Sequence, residues 1–406
     1  MPKNKPSLTA RKVASDFLFS VEDPEVGRFA PIGSIPATYD VLESAGRLKP
    51  WMVSLIKAPW YQKFGRSLAE RMAPGQMLHM VLRKSFFDDE VRCAIDDGAT
   101  QVLVVGGGYD TLCLRLAAKY PAVTFLELDH PPTHREKSQA VETMGAAQPN
   151  LHLLGVDLGE RALKEVLAGA SAWDMAGRSV VVAEGVLMYL GMDEVEAFLT
   201  AVRSSTGPGS RLLFTYLHEA ELNRVFRGWL GTALSYYLHL VGEPFRWGVT
   251  DEGIEPFLTT HGYSIVGDED RYDFKKRYLE PVAKGDQPVS RLVRVVAAPP
   301  PAPPPPPRRA GPRRAAQQHG RHRGEEHGEE QRGHRHAGHV PPGHAEAADD
   351  EAAQHIPVAQ LAMGGLVPCR GVRAEAGSER RRLAALERAQ PHDTQVLEVL
   401  DVHLRG

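Results

Sequence analysis

Aromatic residues and lysine are both missing from the last 108 residues of this 406-residue chain. Every Phe, Tyr, Trp and Lys lies before Pro299. A segment without aromatics buries little apolar area, so a normal core is expected only in the first 298 residues. Cysteine is also scarce. Cys93, Cys113 and Cys369 are far apart and form no CxxC pair. No disulfide framework or cysteine-rich zinc site is expected from that spacing, and the count suits a reducing cytosol. No metal site is expected. The chain lacks a basic excess, with a formal net charge of −3, so no nucleic-acid partner is expected. It lacks any run of 18 apolar residues, so no membrane span is expected either. The opening MPKNKPSLTARKVASDFLF has positive charge but no apolar core of useful length. No signal peptide is therefore expected, and the predicted location is cytoplasmic.

What is present falls into three parts. Residues 1–80 carry apolar residues at mixed i+3/i+4 spacing, punctuated by Pro24, Pro31, Pro36, Pro50, Pro59 and Pro74. This pattern predicts a helical cap. Residues 81–298 change character at Gln101. Short apolar runs, QVLVVGG (101–107), VTFLELD (123–129), LHLLGVDL (151–158), SVVVAEG (179–185) and RLLFTYL (211–217), alternate with amphipathic helix candidates. Near-continuous apolar strands separated by helices predict an α/β fold, a doubly wound, mostly parallel, Rossmann-like sheet buried on both faces. An aromatic-rich stretch after the fifth strand, with Trp229, Tyr236, Tyr237, Phe245 and Trp247, is too long for a simple connection and reads as a helical insertion. The segments YSIVGDE and RLVRVVAA complete the sheet. Residues 299–406 begin with a proline run and continue rich in Pro, Arg and His. Polyproline II and disorder are expected there.

The chemistry gathers at the carboxyl ends of the strands, where open α/β sheets bind ligands. The first strand runs into Gly106-Gly107-Gly108 and then a helix. Glycine lets a ligand approach the backbone, and a helix start offers unpaired N–H donors. The second strand ends Glu127-Leu128-Asp129, two acids on one strand face. An acid at that point suits the hydroxyls of a ribose. The third ends Asp157-Leu158 and the fourth ends Glu184-Gly185.

The blocks VLVVGGGYDTLCLRLA, FLELDHP, GVDL and VAEGVLMYL resemble the leucine carboxyl methyltransferase-type family of class I S-adenosylmethionine-dependent O-methyltransferases. The resemblance runs from about Met80 to Ala298. It implies S-adenosyl-L-methionine as cofactor and a role for each matching residue. Arg83 grips the cofactor's carboxylate, as a guanidinium does with two parallel hydrogen bonds. Gly106 and Gly108 bring the backbone against it. Asp129 takes the ribose hydroxyls with Glu127 beside it, Asp157 and Leu158 hold the adenine, and Glu184 accepts from the ammonium. The family's phosphatase-methylating branch has a basic residue directly after its Asp-Leu. Here that position is Gly159, so the sequence resembles more closely the bacterial branch that methylates small molecules. Methylation of a protein C-terminus is the alternative within the family.

A carboxylate acceptor is already ionised, whereas an alcohol or phenol needs a base within reach. His218, Tyr189 and Tyr216 sit near predicted strand ends. They are the candidates to orient the acceptor, with His218 as the base. Two readings from other classes compete. A nucleotide-dependent dehydrogenase predicts G-x-G-x-x-G, but Tyr109-Asp110-Thr111 follow Gly108 and no third spaced glycine does. A non-catalytic cofactor-binding protein predicts decay of the acids at Asp129, Asp157 and Glu184, all of which are present.

Overall fold

The apolar runs form the strands of one seven-stranded sheet in order β3-β2-β1-β4-β5-β7-β6. The structure is a computed structural model and describes residues 5–219, 236, 242–290 and the backbone of 293–298. The strands are β1 (Gln101–Val105), β2 (Thr124–Asp129), β3 (Leu151–Gly155), β4 (Ser179–Ala183), β5 (Arg211–Leu217), β6 (Gly267–Glu269) and β7 (Val293–Ala298). β1 to β5 pair in parallel, while β7 is antiparallel to both β5 and β6. The predicted helical insertion lies mostly outside the described residues, as does the whole of 299–406.

Burial on both faces explains the apolar runs. β1 and β4 are buried at every position. Along β1, Leu103 and Val105 pack into one layer with Leu126, Val181 and Leu199. Val102 and Val104 alternate into the other with Leu82, Phe86 and Val182. At about 25 cal/mol per Å² of apolar area, these two layers are the main source of stability.

Six helices precede the sheet: α1 (Leu8–Val21), α2 (Pro24–Gly27), α3 (Ser34–Ser44), α4 (Pro50–Lys57), α5 (Pro59–Met72) and α6 (Gln76–Asp96). α6 straddles residue 80 and buries Leu78, Leu82, Phe86, Phe87 and Val91 against the sheet. It therefore joins the helical cap to the sheet and fixes Arg83 and Lys84 beside it. The later helices are α7 (Leu112–Lys119), α8 (Pro131–Thr143), α9 (Leu163–Gly169), α10 (Met192–Ser204), α11 (Asp251–Thr260) and α12 (Arg271–Phe274). The chain order β3-β2-β1 reverses at β4. The carboxyl ends of these four strands consequently lie side by side, with the switch point between β1 and β4.

Candidate active site

The four strand ends open into a cavity of about 1980 Å³. Gly106, Gly107 and Gly108 after β1, Asp129 at the end of β2, Asp157 and Leu158 after β3, and Glu184 after β4 all line it. Arg83 of α6 and Tyr189 line it as well. Residues of α1, α4 and α5 complete the wall.

The glycine turn requires its residue type. Gly106 sits at φ +68°, where side chains are strained, and a Cβ there would lie 2.5 Å from Val186 Cγ2. The turn is latched to β2, because the Gly108 N–H donates to Asp129 Oδ2 and the His130 N–H donates to Oδ1 at 2.6 Å. Burial pushes the Asp129 carboxyl above the usual range, against the pull of those two N–H groups. Each oxygen still has a free lone pair with which to accept from a ligand.

Four charges meet where β1 and β4 end. Arg83 Nε donates to Glu184 Oε1 at 2.8 Å. Lys84 Nζ lies 2.5 Å from Asp110 Oδ2 and 3.6 Å from Glu184 Oε2. Burial alone would lower the Lys84 pKa, but Asp110 and Glu184 overcome it and hold the ammonium above the ordinary lysine value. Burial likewise opposes ionisation of Asp110, and Lys84 outweighs it, so Asp110 stays well below the usual carboxylate range. Two cations and two anions make the group neutral as a whole. It can therefore exchange internal partners for those of a zwitterion without gaining net buried charge.

Asp157 is steadied by the Gly159 N–H at 2.9 Å and faces His130 Nε2 at 3.6 Å. Leu158 packs at the edge of the core. Tyr189 ends a short 3₁₀ turn (Leu187–Tyr189) and packs on Phe245 with ring centroids 5.5 Å apart. Burial, and then the charge of Glu243, push its hydroxyl pKa upward.

Three expected contacts stand elsewhere. Glu127 does not line the cavity. Its carboxylate is buried in an ion pair with Lys137 at 2.5 Å, and Lys137 also donates to the Asp110 carbonyl. Glu127 lies within β2, inside the sheet sandwich, while Asp129 is the last residue of the strand and stands at its open end. Burial, only partly offset by Lys137, raises the Glu127 pKa to about 7. Tyr216 is fully buried, with its hydroxyl 3.3 Å from Asp268 Oδ1 and its ring edge-on to Trp247. His218 continues β5 into a bridge with Val249. Neither is among the residues that line the cavity. Of the three acceptor-orienting candidates, only Tyr189 reaches it.

The structure adds residues that carried no assigned role in the sequence motifs. Lys84 and Asp110 complete the charge group. Ser7 caps α1, receives a hydrogen bond from the Ala10 N–H, and fixes the helix start over the cavity. Its N–H donates to Thr133 Oγ1 at 3.0 Å and its hydroxyl to Glu243 Oε1 at 2.9 Å. Lys84 directly follows Arg83 and Asp110 closes the glycine block, so weak local signals existed for both. Ser7 and Glu243, 236 residues apart, had none.

Residues 39–203 match the family model "Leucine carboxyl methyltransferase". The match begins earlier than the motif-based resemblance and ends before β5. Two relatives carry the name "Putative S-adenosyl-L-methionine-dependent methyltransferase". One, from Parafrankia sp. (strain EAN1pec), is 34% identical over 143 residues, covering 33% of this chain and 43% of its own. The other, from Mycobacterium bovis (strain BCG / Pasteur 1173P2), is 26% identical over 208 residues, covering 50% of this chain and 64% of its own. The chain thus spans less than two thirds of the length of these relatives. A solved structure of a DUF574 family protein from Streptomyces avermitilis superposes with a TM-score of 0.46 at 14% identity, over 64% of this chain and 96% of that one. The segment 39–203, which holds the glycine turn and the four strand-end acids, therefore matches the leucine carboxyl methyltransferase family, in agreement with the resemblance carried by its motifs.

Proposed function

We propose that this chain is an S-adenosyl-L-methionine-dependent methyltransferase that methylates an oxygen, carboxylate or hydroxyl, of a small molecule. The observation that carries the reading is the neutral group Arg83, Lys84, Asp110 and Glu184 in the same cavity as Asp129 and the glycine turn. These residues fit the cofactor at both ends. Arg83 and Lys84 offer two cations to its carboxylate, and Glu184 offers an anion to its ammonium. Asp129 can accept from a ribose diol. Asp157 and Leu158 supply an acceptor and an apolar surface for adenine. When bound, the cofactor supplies a sulfonium methyl group for in-line transfer to a nucleophilic oxygen.

The chain's own contribution is placement and exclusion of water. A cavity of about 1980 Å³ exceeds the roughly 300–1,000 Å³ of a pocket for one small ligand. It therefore has room for cofactor and acceptor side by side. Tyr189 and Phe245 form an aromatic wall on one side. Holding two reactants in register in this way can supply several kcal/mol of a barrier.

Calorimetry with S-adenosylmethionine, S-adenosylhomocysteine and NAD tests the reading. Both sulfur compounds are expected to bind the wild type, and Asp129→Ala to weaken each about tenfold or more, the loss of a hydrogen bond to a charged group. Binding of NAD with no response to either sulfur compound would overturn it.

A further inference from the structure

A further carboxylate of the cavity wall has only one of its two oxygens satisfied among the described residues. Glu243 is 3% exposed and lines the cavity. Its Oε1 accepts from the Ser7 hydroxyl at 2.9 Å, and Ser7 is itself buried and tied to Thr133. Its Oε2 is buried with no hydrogen-bond partner among the described residues. A buried polar atom left in that state costs roughly 1–3 kcal/mol, and more if charged. The cost disappears if a bound molecule brings a donor. Rotation about the last side-chain bond of Glu is broad, so either oxygen can be presented to the cavity.

The surroundings define what that molecule can be. Three cations of the wall are already engaged: Arg83 with Glu184, Lys84 with Asp110, and Arg246 with Glu194 at 2.8 Å, the first two also being the pair offered to the cofactor's carboxylate. An acceptor carboxylate placed beside Glu243 would set two anions together, with those three cations already committed to other carboxylates. Like charges at low dielectric repel strongly. A hydroxyl does the reverse, because its O–H donates to the orphan oxygen. Tyr189 and Phe245, whose rings pack on each other, line the same cavity as Glu243. The wall that carries the carboxylate therefore also offers an aromatic surface.

We propose that Glu243 is a specificity-determining residue that accepts a hydrogen bond from the acceptor's hydroxyl, so that the acceptor is a neutral alcohol or phenol and not a carboxylate. This rests on the methyltransferase reading above and narrows its acceptor class. Sites built to hydrogen-bond a hydroxyl reject analogues that cannot supply it.

Ligand-observed NMR on the full chain saturated with S-adenosylhomocysteine tests the proposal, with phenol, benzoate and benzylamine as probes. Phenol is expected to bind, and benzoate to bind at least about tenfold more weakly, a gap of 1.4 kcal/mol. In Glu243→Gln the gap is expected to close, with S-adenosylhomocysteine affinity unchanged within about twofold on the same scale. The wild-type ranking alone decides the matter should that variant fold poorly. Benzoate matching phenol, benzylamine outranking it, phenol failing to bind, or an unchanged ranking in a folded Glu243→Gln would each overturn the assignment. Failure of S-adenosylhomocysteine to bind the wild type would instead sink the methyltransferase reading, so the two failures are distinguishable.

Discussion

Arg83 and Glu184, 101 residues apart in sequence, meet at the end of β4 with Arg83 Nε 2.8 Å from Glu184 Oε1. Both side chains are largely buried, so neither charge is well hydrated and each depends on the other. Glu184→Gln keeps the shape and removes one anion. Arg83 and Lys84 are then left with Asp110 as their only carboxylate in the group. The expected result is about tenfold or more weaker binding of S-adenosylhomocysteine, and a loss of about 1–3 kcal/mol in unfolding free energy. Calorimetry and urea denaturation read the two effects separately. Unchanged ligand affinity would show the pair to be structural only.

Gly107 is closed to any side chain. A Cβ there would lie 2.4 Å from Glu127 Cδ and Oε1. Glu127 cannot swing aside, because Lys137 holds it in the buried interior. Gly107→Ala is expected to cost about 1–3 kcal/mol by overpacking, which lowers the melting temperature by about 2–4 °C for each kcal/mol. A melting temperature equal to wild type would mean that the turn relaxes freely.

The buried Glu127 also predicts a pH dependence. Burial raises its carboxyl from 4.5 to about 7, against the pull of Lys137. The folded state therefore holds this proton more tightly than the unfolded chain does. The group's stabilising contribution is full below pH 4.5 and is lost as pH rises through about 7. His79 works in the opposite direction. Burial lowers its pKa from 6.5 to about 3, so its contribution is present above pH 6.5 and lost as pH falls. Comparing wild type with Glu127→Gln isolates the carboxyl. The wild-type advantage in melting temperature is expected to shrink between pH 5 and pH 8, across the window set by those two values. An advantage that grows over that range would contradict the assignment.

The strands β1 to β5 were legible because parallel strands covered on both faces must be apolar throughout, as Val102 to Val105 and Val180 to Val182 are. The antiparallel placement of β7 between β5 and β6 was not. Pairing partners depend on where the intervening chain returns, and no residue of RLVRVVAA encodes that. At the site, glycine and acid at the strand ends were readable as a class, since a ligand at that rim needs close backbone approach and hydrogen-bond acceptors. Glu127 is expected beside Asp129 because a two-residue period puts both on one face, whereas the structure pairs it with Lys137 of the next helix and leaves it out of the cavity lining. Tyr216 and His218 were chosen by proximity to a strand end, which does not say whether a side chain lines the cavity, and neither is among its lining residues. Ser7 and Glu243 belong to chain segments that meet only in three dimensions.

The clasp formed by Ser7 has a practical consequence. One serine fastens the start of α1 to Thr133 and to Glu243, so the first turn of α1 rests on the wall of the cleft. A fluorescent dye carried at Lys5, just upstream, becomes a built-in gauge of occupancy. Its emission should shift when the cleft fills, and Ser7→Ala should mute that signal while the sheet beneath stays folded.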